Sequence, residues 1–316
     1  MSVNEICVAW PYMDAITAGD ATAREDLAQY VLEGLPEISA ITSQAEETLR
    51  DLTGDASFDG YVSLDRHPDR LEKQVQAIFL TLQQWKPKST PGAQLKYQPG
   101  IPTAVLGTQP LRLAPTVLSW GEGNCLEWSL VMAACLYNRA IYPLILVTRE
   151  PHHALLGYWK CETAALGNNK TVLAPEEVPR DQVLVLDATC IPPSASGRLL
   201  NFDEARKEGE KFLPPGDPSH NLAFAVDVRT ARVNRIFPVK YEPNIVWNEL
   251  PRRPHIIGRQ RELRELMMCL FSRAHPIEVW GLPGSGKSAL VAEAVHWLVH
   301  ESLQFTVLMS KLEPPA

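Results

Sequence analysis

No apolar run in this sequence approaches the ~18 to 20 residues that a membrane-spanning helix needs. The N-terminus, Met-Ser-Val-Asn-Glu-Ile-Cys, has no basic region leading into an apolar core, so no secretory signal is predicted. Six cysteines (7, 125, 135, 161, 190 and 269) form neither a C-x-x-C pair nor a zinc-ligand spacing, and in a chain of 316 residues they do not read as a disulfide framework. Basic charge is also scarce, with 30 Lys and Arg against 37 Asp and Glu and no basic stripe for a phosphate backbone to follow. Internal repeats and low-complexity stretches are absent. Together these point to a cytoplasmic chain with reduced thiols and with neither a membrane nor a nucleic acid as partner.

What is present is an apolar content of 45%, enough for two or three domains with their own cores. The charge divides the chain. Residues 241–316 hold eight basic and eight acidic side chains, so the whole formal charge of −7 lies in residues 1–240. Residues 1–55 read as a helical N-terminal segment, with Leu27, Tyr30, Val31 and Leu35 in helical spacing, a break at Pro36, and resumption from about Ile38 to Leu52. Leu71, Val75, Ile78, Phe79 and Leu82 predict an amphipathic helix over 70–85. Residues 86–114, with five prolines and three glycines, predict a loop-rich approach to Cys125.

Gly121-Glu-Gly-Asn-Cys125 stands directly before a helix-like run to Arg139. The glycines allow a tight turn, and a cysteine in a first helical turn faces unpaired N–H groups and the positive end of the helix dipole, which favour a thiolate. Three short apolar runs follow, 143–147, 153–159 and 183–187, which predict a helix packed on a sheet. If that helix crosses adjacent strands, His153 can serve Cys125 as base and Asp187 can fix the imidazole tautomer. Cys125 as a small buried hydrophobe is the alternative, and the reading given to Cys135. His152 competes with His153 for the role of base. Gln109 is either a side-chain donor to an oxyanion or a solvated loop residue.

The run Gly-Asn-Cys-Leu-Glu-Trp-Ser-Leu-Val-Met-Ala-Ala-Cys-Leu, the Pro-Leu-Ile-Leu-Val after it, the His-Ala-Leu-Leu-Gly-Tyr-Trp block and Leu-Asp-Ala-Thr at 186–189 resemble the transglutaminase-like core, in its bacterial branch thought to act as cysteine peptidases. The resemblance covers residues 56–240. It implies an α+β, papain-like cysteine hydrolase fold with the cysteine opening a helix, the histidine beginning one strand and the aspartate on the next, and it carries the catalytic roles to Cys125, His153 and Asp187. His152 occupies the place where a small residue is usual. No cofactor is expected for this chemistry.

After a linker at 241–255, residues 256–316 carry a second pattern. Gly281-Leu-Pro-Gly284-Ser-Gly286-Lys287-Ser288 follows an apolar strand and opens a helix, the setting of a phosphate-binding loop. The glycines would let backbone N–H groups wrap phosphates, Lys287 would reach the terminal phosphates and the Ser288 hydroxyl would hold Mg2+. A chance match in a glycine-rich turn is the other reading. Ile257-Gly-Arg259-Gln-Arg-Glu-Leu263 resembles the entry motif of the signal-transduction NTPases with numerous domains (STAND) and related AAA-type ATPases, which implies ATP with Arg259 near the adenine. With no later acidic strand, this α/β unit reads as an incomplete NTPase that does not hydrolyse nucleotide.

The combined expectation is a cysteine peptidase acting on a protein or peptide, serving as effector of a nucleotide-regulated switch in bacterial defence or signalling, with oligomerisation through the complete NTPase. Acyl transfer to an amine, and an inactive fold used as an interaction module, are the alternatives.

Overall fold

The computed structural model describes residues 7–11, 21–88, 92–98, 108–212 and 221–239, together with 258–259, 261–263, 265–266, 285–287, 289–291 and 293–294. Among these, in chain order, are β1 (Cys7–Pro11), α1 (Ala21–Asp26), α2 (Pro36–Thr53), α3 (Arg70–Gln83), β2 (Lys96–Tyr97), β3 (Thr108–Arg112), α4 (Ala114–Trp120), β4 (Glu122–Gly123), α5 (Cys125–Asn138), β5 (Pro143–Thr148) and β6 (Ala154–Trp159). They are followed by α6 (Glu162–Gly167), β7 (Val172–Leu173), β8 (Val183–Leu186), α7 (Phe202–Phe212), β9 (Leu222–Asp227) and α8 (Val228–Val233).

The protein is a mixture of helices with a five-stranded antiparallel sheet of order β7-β9-β5-β6-β8, in accord with the α+β expectation. Both faces of the sheet are covered, so β5 and β6 are buried along their whole length and show no polar alternation. On one face Ile145, Val147, Leu156, Tyr158 and Phe224 join the large core around α5. On the other, Leu144, Leu146, Leu155, Trp159 and Val185 pack with Ala165, Leu173 and Val178.

Helix α5 lies at the centre, with every residue from Leu126 to Leu136 buried, as expected of a helix that is apolar all round. Helices α2 and α3 pack on it through the stripes Ile38, Ile41, Ala45, Leu49 and Leu71, Val75, Ile78, Phe79, Leu82. Each such side chain contributes roughly 1.5–3 kcal/mol on removal from water. Residues of the N-terminal helical stretch therefore share one core with α5 and the sheet.

Two local expectations change. Within the segment expected to be helical, Cys7–Pro11 form strand β1, and the expected break lies just before Pro36, which is itself the first residue of α2 because a proline there gives up an N–H that has no helical partner anyway. The stretch 86–114 is not all loop, since it supplies β2, β3 and the start of α4. Strand β3 pairs antiparallel with β1, and β2 runs parallel to β4. These strands are two to five residues long, too short to show a period, and β1 and β3 each hold a proline. No described helix is long and apolar enough to cross a membrane.

Candidate active site

The start of α5 is fixed by a reciprocal cap. Asn124 Oδ1 accepts from Glu127 N at 3.0 Å and Glu127 Oε2 accepts from Asn124 N at 2.8 Å, which satisfies two donors that a helix start would leave unpaired. Cys125 is thereby held as the first helical residue. Glu127 is buried and also meets Arg112, whose Nη2 stands 2.9 Å from Oε2 while its backbone N donates to Oε1 at 2.7 Å. The pair ties strand β3 to the cysteine-bearing turn.

The two glycines before the cysteine act differently. Gly121, at φ 73°, ends α4 in the left-handed region, where a side chain is strained, and a Cβ there would lie 2.3 Å from Pro87 Cγ. At Gly123 the constraint is space, because a Cβ would stand 2.9 Å from Trp128 Nε1.

His153 immediately precedes β6. Its backbone N donates to Thr148 Oγ1 at 3.0 Å and its carbonyl accepts from Thr148 N at 2.9 Å, so the hairpin with β5 sets its place. Leu156 pairs with Leu186, which brings Asp187, the next residue of that strand's chain, beside the start of β6. His153 Nε2 donates to Asp187 Oδ2 at 2.9 Å. Asp187 Oδ1 accepts from Thr189 N at 2.9 Å and from Thr189 Oγ1 at 2.7 Å, so both carboxylate oxygens are engaged and the group cannot rotate away from the ring.

Ser129 connects the two halves, donating to Cys125 O at 2.8 Å and lying 3.4 Å from Ala154 O, next to His153. With Nε2 engaged by Asp187, the nitrogen left to serve the sulfur is Nδ1, and Cys125 lies near enough to act on the ring's protonation. Burial by itself would lower the His153 pKa. The hydrogen bonds to Asp187 and Cys125 and the negative charges of both outweigh it and hold the ring up to about 10. His153, rather than exposed His152, is the histidine that meets the cysteine and the aspartate. Cys135 is fully buried, and burial pushes its thiol up, which fits the part of a core residue.

Two aromatic residues join the site without a sequence signal. Tyr97, opposite Gly123 in the β2–β4 pairing, lies beside Cys125, and its hydroxyl is pushed up to about 12 by burial and then by the charges of Cys125 and Asp187. Backbone bonds from Lys96 N to Gly121 O at 2.7 Å and from Gln98 N to Gly123 O at 2.9 Å hold its strand there. Phe212, at the end of α7, stacks on His153 with centroids 4.4 Å apart. A tyrosine between loop residues and a phenylalanine 59 positions after the histidine gave no pattern to read.

Gln109 lies on β3 opposite Trp10, three residues before Arg112, and its side chain falls outside the described residues. Of the phosphate-loop residues, Gly281, Gly284 and Ser288 also fall outside them. Gly286 has φ 78°, Lys287 is helical, and Leu290 N donates to Gly286 O at 2.9 Å. Arg259 Nη1 donates to Ser285 O at 2.6 Å and its Nε meets Glu262 Oε1 at 3.2 Å. Among the described residues no group of three or more His, Cys, Asp or Glu side chains could hold a metal ion. No family model matches the chain, and neither does any curated protein or solved structure.

Proposed function

We propose that this chain is a cysteine hydrolase of the transglutaminase-like kind, most directly a peptidase, with Cys125 as nucleophile, His153 as general base and acid, and Asp187 as the group that orients the imidazole. The observation that carries the reading is one contiguous set: a cysteine at the first position of a capped central helix, near a histidine on whose protonation it acts and whose Nε2 is held 2.9 Å from a doubly anchored carboxylate. The central helix against an antiparallel sheet supports the papain-like reading of the fold.

With the proton resting on His153, the Cys125 sulfur attacks an amide carbonyl carbon and forms a C–S bond. His153 gives its proton to the departing amine as the C–N bond breaks, leaving a thioester on Cys125. A water then loses a proton to His153 and adds to the thioester, releasing the acid and restoring the ion pair. The oxyanion is met by the Cys125 backbone N–H, with Gln109 as a second donor. Acyl transfer differs only in that an amine takes the place of that water.

For the C-terminal part, the positive φ of Gly286 and the helical start at Lys287 fit a phosphate-binding turn. Gly281, Gly284, Gly286, Lys287 and Ser288 would hold ATP and Mg2+ in an NTPase of the STAND type, and ATP there would supply the switching signal for the hydrolase.

The test is turnover of a fluorogenic peptide library by the purified chain, with and without a primary amine, monitored together with mass spectrometry for a thioester on Cys125. Cys125→Ala should abolish both signals. Full activity in Cys125→Ala would overturn the assignment, and amine incorporation exceeding hydrolysis would move it to acyl transfer.

A further inference from the structure

Helix α7 lies outside the Cys-His-Asp constellation in sequence, yet it touches both members of the histidine–aspartate dyad. Its middle packs on the chain at Asp187. Asp187 N donates to Ala205 O at 3.1 Å, and a Cβ on Gly209 would stand 3.0 Å from Asp187 N and 3.1 Å from the Leu186 carbonyl carbon. A glycine inside a helix costs about 1 kcal/mol relative to alanine, and here it permits the backbones to approach. The C-terminal end of α7 reaches the imidazole. The Phe212 ring lies over that of His153 at 4.4 Å between centroids and 24° between planes, a stacked contact.

Asn221 closes the arrangement. Its Nδ2 donates to Phe212 O at 3.2 Å, its Oδ1 accepts from Glu150 N at 3.1 Å, and its carbonyl accepts from Arg149 N at 2.8 Å. The end of α7 is therefore tied to the turn that leads into His153. Helix α7 thus bears on the carboxylate's backbone and the imidazole face directly, and on the histidine's own turn through Asn221.

We propose that α7 is a positioning element for the dyad and that Phe212 is a positioning residue for His153, holding the ring in the plane that serves Asp187 on one nitrogen and Cys125 on the other and stabilising the protonated ring through its aromatic face. The proposal rests on the assignment of Cys125 and His153 made above. Leucine at 212 keeps the burial and removes the aromatic face, so the protonated imidazole loses a cation–π partner. Charged and titratable groups acting on the ring are Asp187 after β8 and Cys125 on α5, and neither changes in the substitution.

The experiment is an NMR titration of the His153 ring in the full chain, wild type against Phe212→Leu and Phe212→Tyr, with Cys125 alkylation by iodoacetamide followed in the same samples. Phe212→Leu should lower the His153 midpoint by roughly 0.5 to 1 pH unit, the span of one aromatic–cation contact. It should slow Cys125 alkylation by about three- to tenfold, and Phe212→Tyr should restore both. A His153 midpoint in Phe212→Leu equal to wild type, or a Phe212→Tyr variant as impaired as Phe212→Leu, would overturn the role of Phe212. Wild-type Cys125 that alkylates no faster than Cys161 would instead sink the nucleophile assignment, while the NMR arm still decides whether Phe212 sets the ring.

Discussion

Replacing Glu127 by alanine should cost far more than the loss of a surface charge. Its carboxylate is 1% exposed and takes bonds from two backbone amides, Asn124 N and Arg112 N, and from the Arg112 guanidinium, which is itself only 13% exposed. Removing one partner of a buried pair costs about 3–5 kcal/mol, because the other charge is left uncompensated, and the lost cap adds about 1 kcal/mol. Against a total stability of about 5–15 kcal/mol this is a large fraction. With a urea slope of about 1–3 kcal/mol per molar, the unfolding midpoint should fall by at least about 1 M. Replacing both partners, Arg112→Met with Glu127→Leu, should recover part of the loss, since no buried charge then stands alone. A midpoint for Glu127→Ala within about 0.3 M of wild type would refute the view that this pair anchors the cysteine-bearing turn.

His153 is held up to about 10 from an ordinary value of 6.5, so the stability it contributes is complete below about 6.5 and is lost as pH rises toward 10, at no more than about 1.4 kcal/mol per pH unit. The gap in urea midpoint between wild type and His153→Gln should therefore narrow from pH 6.5 to 10, and a constant gap would contradict the raised value. Gly209→Ala forces a Cβ against backbone atoms of Leu186 and Asp187, and the resulting strain of about 1–3 kcal/mol should exceed the ~1 kcal/mol gained in helix propensity. A thermal melt showing Gly209→Ala more stable than wild type would remove the close-approach explanation. Tyr97→Phe removes the hydroxyl beside Cys125 and should slow iodoacetamide alkylation at pH 6 by about three- to tenfold, the scale of one lost hydrogen-bonding group. An unchanged rate would show that the hydroxyl does not support the sulfur.

Much of this site was legible because its parts sit on strongly patterned elements. The run from Cys125 to Asn138 is apolar enough to require burial on all sides, and the capping sequence Asn-Cys-Leu-Glu marks its first residue. His153 and Asp187 adjoin strands buried on both faces, whose continuous apolar runs announce them. Tyr97, Phe212 and the Arg112–Glu127 pair were not legible, because each depends on tertiary contact. Strand β2 has two residues and exists through pairing with β4, and Phe212 reaches the imidazole only because Gly209 lets α7 settle on β8. Pro36 marked a helix boundary but not the side of it on which the proline falls, since its effect depends on whether it takes the first position of a helix or lies inside one.

The central claim is that Cys125 is activated by His153, and the rate of Cys125 alkylation as a function of pH tests it most directly. Cys161 is the proper reference, being partly exposed like Cys125, whereas Cys135 is sealed in the core and would stay unreactive for want of access. At pH 6 Cys125 should react at least about ten times faster than Cys161, because His153 stands ready to take the proton of the attacking sulfur and Cys161 has no such base among the described residues. His153→Gln should erase that advantage. Equal rates at pH 6, or an advantage that survives His153→Gln, would contradict the account.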